Sequence, residues 1–214
     1  MTNTKINKEK IIYKLINKEN NSVLLETVPY VDYLDMAIIF YQVLDGFDEG
    51  EGTCAIITNK QLEDADMKLS DLMTYASENT PRILGLKING ILSSIAEYSG
   101  DESLVEALEA ELGIDADTFP LYVATNKVAS NGAAVILYKD MLKAMAAKLK
   151  SDLYVIPCSV HEVILVRVMK NCQMNTDEIR RLITEVNQTE LTFSDVLSDS
   201  LYYFSRDTGV LSYA

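Results

Sequence analysis

The stretch DLYVIPCSVHEVILVRV, Asp152 to Val168, decides the reading of this chain. Its two apolar runs, LYVIP and EVILVRV, are rich in β-branched residues and bounded by a short polar turn, the pattern of paired strands. That turn brings together Ser159, His161 and Glu162, and His161 is the only histidine of 214 residues. A Ser-His-acid set hydrolyses bonds when the ring reaches the nucleophile, a separate acid orients the other ring nitrogen and amide donors face the oxyanion. Three neighbours in one turn rarely meet that geometry. There is no GxSxG elbow either, and Cys158 or Ser159 would have to work with a histidine almost adjacent in sequence. The same groups also satisfy the backbone of a strand-to-strand corner. A structural corner is the leading expectation; its rival is hydrolysis by Ser159, His161 and Glu162, with the acidic connection Asp45 to Gly52 or the Asp195 and Asp199 pair contributing.

Working outward, LYVATN (Leu121 to Asn126) and AAVILY (Ala133 to Tyr138) read as further strands around a turn at Asn131 and Gly132. Met141, Leu142, Met145 and Leu149 then make a helical stripe, with Lys148 and Lys150 where the helix dipole favours cations. Asn175 with Glu178 resembles a capping box opening a helix whose Ile179, Leu182, Ile183 and Val186 face the core, and LYYF closes the sheet. Asp195 and Asp199, one helical turn apart, read as a solvent-facing helix end capped by Ser194 rather than a working carboxylate pair.

Toward the N-terminus, IIYKLI (Ile11 to Ile16) is followed by a short helix capped by Asn20, Asn21 or Ser22 and closed by Pro29. MAIIFYQVL (Met36 to Leu44) has the length of a strand covered on both faces, joined through DGFDEGEG to CAIITN as a hairpin. A helix capped by Asn59 or Ser70 carries Leu69, Leu72, Met73 and Ala76 and is limited by Pro81. ILSSIAEY and the acidic ESLVEALEAELG, striped by Leu104, Leu108 and Leu112 and stopped by Gly113, are also helical. Thr-Asn-Lys recurs at Thr58–Lys60 and Thr125–Lys127, a hint of two similar sub-units that lacks the sustained similarity of a true repeat. The fold expected is α+β, a largely antiparallel sheet covered by helices, in one domain over residues 1–214.

Acidic residues outnumber basic ones 32 to 19, and the net charge of −13 repels phosphates and anionic lipid, so neither nucleic acid nor membrane is an expected partner. No apolar run approaches membrane-spanning length, and no secretory signal opens the chain. Three cysteines, Cys54, Cys158 and Cys172, form an odd set without CxxC spacing, which points to a reducing, cytoplasmic setting. No metal and no cofactor are expected. Asp45, Glu49 and Gly50 suit a calcium loop, but Phe47 and Ile56 hold two of its ligand positions, and one histidine with scattered cysteines makes no zinc set. The phosphate-cradling patterns GxxxxGK[ST] and GxGxxG are absent.

The segments INKENNSVLLETVPYVDYLDMAIIFY, LYVATNKVASNGAAVILYKDMLKAMA, LYVIPCSVHEVILV and VNQTELTFSDVLSDSLYYF together resemble the C-terminal part of an uncharacterised family, domain of unknown function 5688, found mainly in gut Firmicutes. The resemblance is carried by the ordered set Thr125-Asn126, Gly132-Ala133-Ala134, Leu137-Tyr138, Ser159, His161-Glu162 and Leu197-Ser198-Asp199. It implies no activity. It does imply that relatives carry an additional N-terminal region, and that Tyr30 stands where many have a histidine. The expected function is a non-enzymatic interaction module that binds a protein partner or its own copy. The alternatives are a hydrolase and an acidic chaperone-like adaptor for a basic client.

Overall fold

In a computed structural model, which describes residues 5–45, 52–101, 103–112, 120–169 and 175–214, the chain is α+β and builds two antiparallel sheets. The first is organised around one long strand. β1 (Ile11–Asn17) and β2 (Tyr30–Tyr33) precede β3 (Met36–Asp45), and β4 (Thr53–Ile56) follows it. β1 covers one edge of β3, while β2 and β4 share the other, pairing with its first and second halves. Alternation sorts the side chains of β3 onto two faces. Met36, Ile38 and Phe40 enter the main core, while Ala37 and Ile39 meet Leu25 and Val28 on the opposite side. Leu25 belongs to the short helix α1 (Ser22–Leu25), which follows Asn21 without a side-chain cap.

The free edge of β1 is closed by a helix rather than a strand. α2 (Asn59–Asp64) opens on a full capping box between Thr58 and Gln61, and α3 (Leu69–Leu84) follows it. Pro81 does not limit α3; it sits inside the last turn, and the helix stops at Gly85, whose φ of +67° suits a residue without a side chain. Asn79 Nδ2 donates to Ile11 O, and Tyr13 N–H donates to Thr80 Oγ1, so two side chains satisfy the ladder groups of an edge strand.

The second sheet has six strands. In chain order they are β5 (Lys87–Gly90), β6 (Leu121–Thr125), β7 (Leu153–Ile156), β8 (Val163–Arg167), β9 (Tyr202–Ser205) and β10 (Val210–Tyr213). Their spatial order is β10-β9-β7-β8-β6-β5. β9 therefore does not close the sheet, because β10 pairs outside it. Between β5 and β6 come α4 (Ile91–Ser99) and α5 (Ser103–Leu112). The two sheets differ in strand number and order, so the hint of two similar sub-units is not matched by the topology. Residues 46–51 of the acidic connection, Gly113, Cys172 and the side chains of Leu104, Leu108 and Leu112 lie outside the described residues.

AAVILY is not a strand. Gly132–Leu137 is a 3-10 helix lying between β1 and β6, and Gly132 through Ile136 are all buried. A short apolar run buried on every side has no periodicity to distinguish strand from helix, and here the tighter turn won. With α6 (Met141–Leu149) it fills the space between the sheets, and one cluster of buried side chains joins Tyr13 and Phe40 of the first sheet to Val155, Leu165 and Tyr202 of the second. The amphipathic helix α7 (Thr176–Thr189) begins at the Asn175 cap, but only Ile183 of its expected apolar stripe is buried. Leu182 and Val186 face solvent, while Asn187 turns inward to donate to Ser198 O.

One polar cluster ties the two sheets together. The two-residue loop Leu34–Asp35 joins β2 to β3 with Leu34 at φ +58°, a conformation usually held by glycine. Asp35 accepts hydroxyl bonds from Ser198 at 2.7 Å, from Ser200 at 2.8 Å and from Tyr202, linking this turn to the far sheet. Asp195 and Asp199 are not on a helix; Asp199 accepts from Asn187 Nδ2 at 2.7 Å, and Asp195 belongs to the corner below.

Candidate functional site

β7 and β8 are joined by the corner that holds Ser159, His161 and Glu162, and its backbone is bonded on three sides. Ser159 N–H donates to Glu162 O at 3.3 Å across the corner, Val160 N–H to Asp195 O at 2.9 Å, and Ala133 N–H to Val160 O at 3.1 Å. Ser159 is buried, and its Oγ accepts the amide of His161 at 3.0 Å. On the far side Thr125 Oγ1 donates to His161 O at 2.8 Å. Gly132 is wedged into this junction. A Cβ there would stand 2.0 Å from Thr125 Oγ1, 2.5 Å from His161 O and 2.7 Å from Asn126 N.

The His161 ring is 41% exposed, but both its nitrogens face partners. Nδ1 accepts the backbone N–H of Asn131 at 3.2 Å, which places the neutral ring's proton on Nε2, and Nε2 lies 3.4 Å from Asp195 Oδ1. Asn131 presents that N–H from a left-handed conformation at φ +51°. The hydroxyl of Ser159 points to backbone, and among the described residues it makes no bond to either ring nitrogen. Cys158 is no better placed as a nucleophile. Its thiol is pushed up to about 12, by burial first and then by the charge of Glu162, so the thiolate is suppressed at neutral pH.

Glu162 points away from His161's partners toward α4, where Oε2 accepts the hydroxyl of Tyr98 at 2.9 Å. Beside it opens a cleft of about 230 Å³ whose lining includes Lys87, Glu97, Tyr98, Val123 and Thr125. The Lys87 ammonium is bonded to Glu97, which also accepts from Asn89 Nδ2 at 3.3 Å. The hydroxyl of Tyr98 is pushed up to about 12, by desolvation first, then by its bond to Glu162 and the charges of Glu162 and Glu97.

The structure thus gathers Ser159 and His161 with Thr125, Asn126, Asn131, Gly132 and Asp195 in one corner, and sends Glu162 to a neighbouring cleft. Asp195 was readable only as one of a carboxylate pair that could contribute, not as the group facing the His161 ring, and Tyr98 as the partner of Glu162 was not readable in sequence. The signal that came nearest was Asn131-Gly132, read as a turn but not as a donor to His161. Among the described residues there is no group of three or more His, Cys, Asp or Glu arranged to hold a metal, and no helix is long and apolar enough to cross a membrane.

An α+β protein of two antiparallel sheets, joined through a buried 3-10 helix and the hydroxyl donors of Asp35, is the class these features define. The chain belongs to the family of unknown function DUF5688, whose model matches residues 1–206, nearly the whole chain. No curated protein and no solved structure matches it.

Proposed function

We propose that this protein is a non-enzymatic interaction module of the cytoplasm, using the His161 corner as a rigid wall and the cleft beside α4 as a contact surface. The observation that carries the reading is the state of His161: one nitrogen accepts from Asn131 and the other faces Asp195, so neither is directed at Ser159. A general base needs a free nitrogen within reach of the proton it takes. Exposed apolar side chains, Leu182 at 59% and Phe193 at 71%, add area suited to a protein partner or a second copy. The charge of −13 argues against nucleic acid.

The hydrolase alternative draws support from the half-open ring and its acid neighbour Asp195. A panel of ester, amide and phosphate substrates, run on wild type and His161→Ala, separates the two readings. No turnover by either protein is the expected result, together with a mass by light scattering that shifts in the presence of a specific partner or reveals self-association. Turnover by the wild type that His161→Ala loses overturns the proposal.

A further inference from the structure

We infer that the cleft beside α4 seats the guanidinium of an arginine side chain presented by a basic segment of a protein partner. This deepens the interaction reading above and rests on it. The open wall of the cleft is the ring of Tyr98, 69% exposed at the end of α4. Its hydroxyl donates to Glu162 Oε2, and a phenol polarised by a carboxylate presents an electron-rich face, the surface over which a cation is held.

Charge around the ring is unbalanced. Glu97 is matched by Lys87, but Glu162 makes no ion pair among the described residues. Within the cleft Lys87 and Glu97 neutralise one another. The remaining carboxylate, Glu162, stands at the hydroxyl edge of the Tyr98 ring, whose proton its Oε2 accepts at 2.9 Å. A planar guanidinium stacked on Tyr98 directs two N–H groups toward that carboxylate at once, which a lysine ammonium does not do. The field of a chain carrying −13 adds attraction at longer range.

The test uses the full chain and an end-blocked, fluorescein-labelled peptide with two arginines among glycines and serines, followed by anisotropy. Matched peptides replace arginine with lysine or with citrulline, its neutral isostere. Binding by the arginine peptide, weaker for lysine and lost for citrulline, is expected. Tyr98→Ala and Glu162→Gln should each weaken it about fivefold, with Tyr98→Phe in between because the ring remains. Glu63→Gln, on α2 beside the other sheet, controls for net charge and should leave binding near wild type. Should Tyr98→Ala fail to fold, Tyr98→Phe and Glu162→Gln still report. The inference is overturned if the arginine peptide does not bind, if lysine binds equally, or if Glu63→Gln weakens binding as much as Glu162→Gln. An inert peptide with a silent hydrolase panel sinks this inference alone, whereas turnover lost in His161→Ala sinks the interaction reading itself.

Discussion

Thr80 Oγ1 takes the backbone N–H of Tyr13 at 3.0 Å, across 67 residues of sequence, and donates its own proton to Ala76 O at 2.7 Å. Thr80 is fully buried, so its hydroxyl replaces what a neighbouring strand would supply to β1. Thr80→Val keeps the shape and removes both bonds, leaving the amide of Tyr13 unpaired. It should destabilise the protein by about 1–3 kcal/mol in urea unfolding, while Thr80→Ser, which keeps the hydroxyl, loses only about one methyl's worth. Equal effects of Val and Ser would show that packing, not the bond, is what matters there.

Gly132→Ala is the most damaging small substitution expected in the corner. Its new methyl meets the backbone of His161 and Asn126, which a rotamer change does not relieve. A loss of about 3 kcal/mol or more, or failure to recover folded protein, is expected. A variant melting with the wild type would mean that the corner yields more readily than its bonding suggests.

His161→Ala removes the acceptor of Asn131 N–H and the partner of Asp195. With a half-exposed ring, water can replace part of what is lost, so destabilisation should fall near the lower end of about 1–3 kcal/mol. Slower exchange of the Asn131 amide in wild type than in the variant is the specific readout. No change in that amide would remove the structural role.

Alkaline pH should unfold the protein through its tyrosines. Burial raises the phenols of Tyr13, Tyr138 and Tyr202 well above the ordinary value, and the bond to Asp152 first, then desolvation, pushes Tyr203 up to about 12. A raised folded pKa means the native state keeps protons the unfolded chain gives up. That stabilisation is complete below about pH 10 and lost as pH rises through the folded values. Tyrosinate absorbance should therefore rise together with loss of the sheet's circular dichroism. Reversible ionisation near pH 10 with the sheet intact would contradict this account.

Strands written as β-branched apolar runs of strand length, and helices with a clear apolar stripe, were legible from sequence, as β1, β3, β7, β8 and α6 attest. What escaped were structures decided by tertiary partners. Ala133–Tyr138 has a strand's composition, yet burial between two sheets made Gly132–Leu137 a 3-10 helix. Leu182 and Val186 match a core stripe, but the inward position went to Asn187, whose amide has Ser198 O and Asp199 as partners. Within the site, Ser159 and His161 share a turn and so were found together. Asp195 reaches His161 only through the fold of the whole second sheet, and no local pattern announces it.

The carboxylate of Asp35 has a consequence for how the molecule is made. Its hydroxyl donors Ser198, Ser200 and Tyr202 are 163 to 167 residues downstream. At about 5–20 residues per second, the ribosome delivers them on the order of ten to thirty seconds after Asp35 itself. During that interval the β2–β3 turn emerges with Leu34 in an unfavourable conformation and no lock upon it. The nascent N-terminal sheet is thus left provisional, open to chaperones or to rearrangement, until the last strands are synthesised and fasten it.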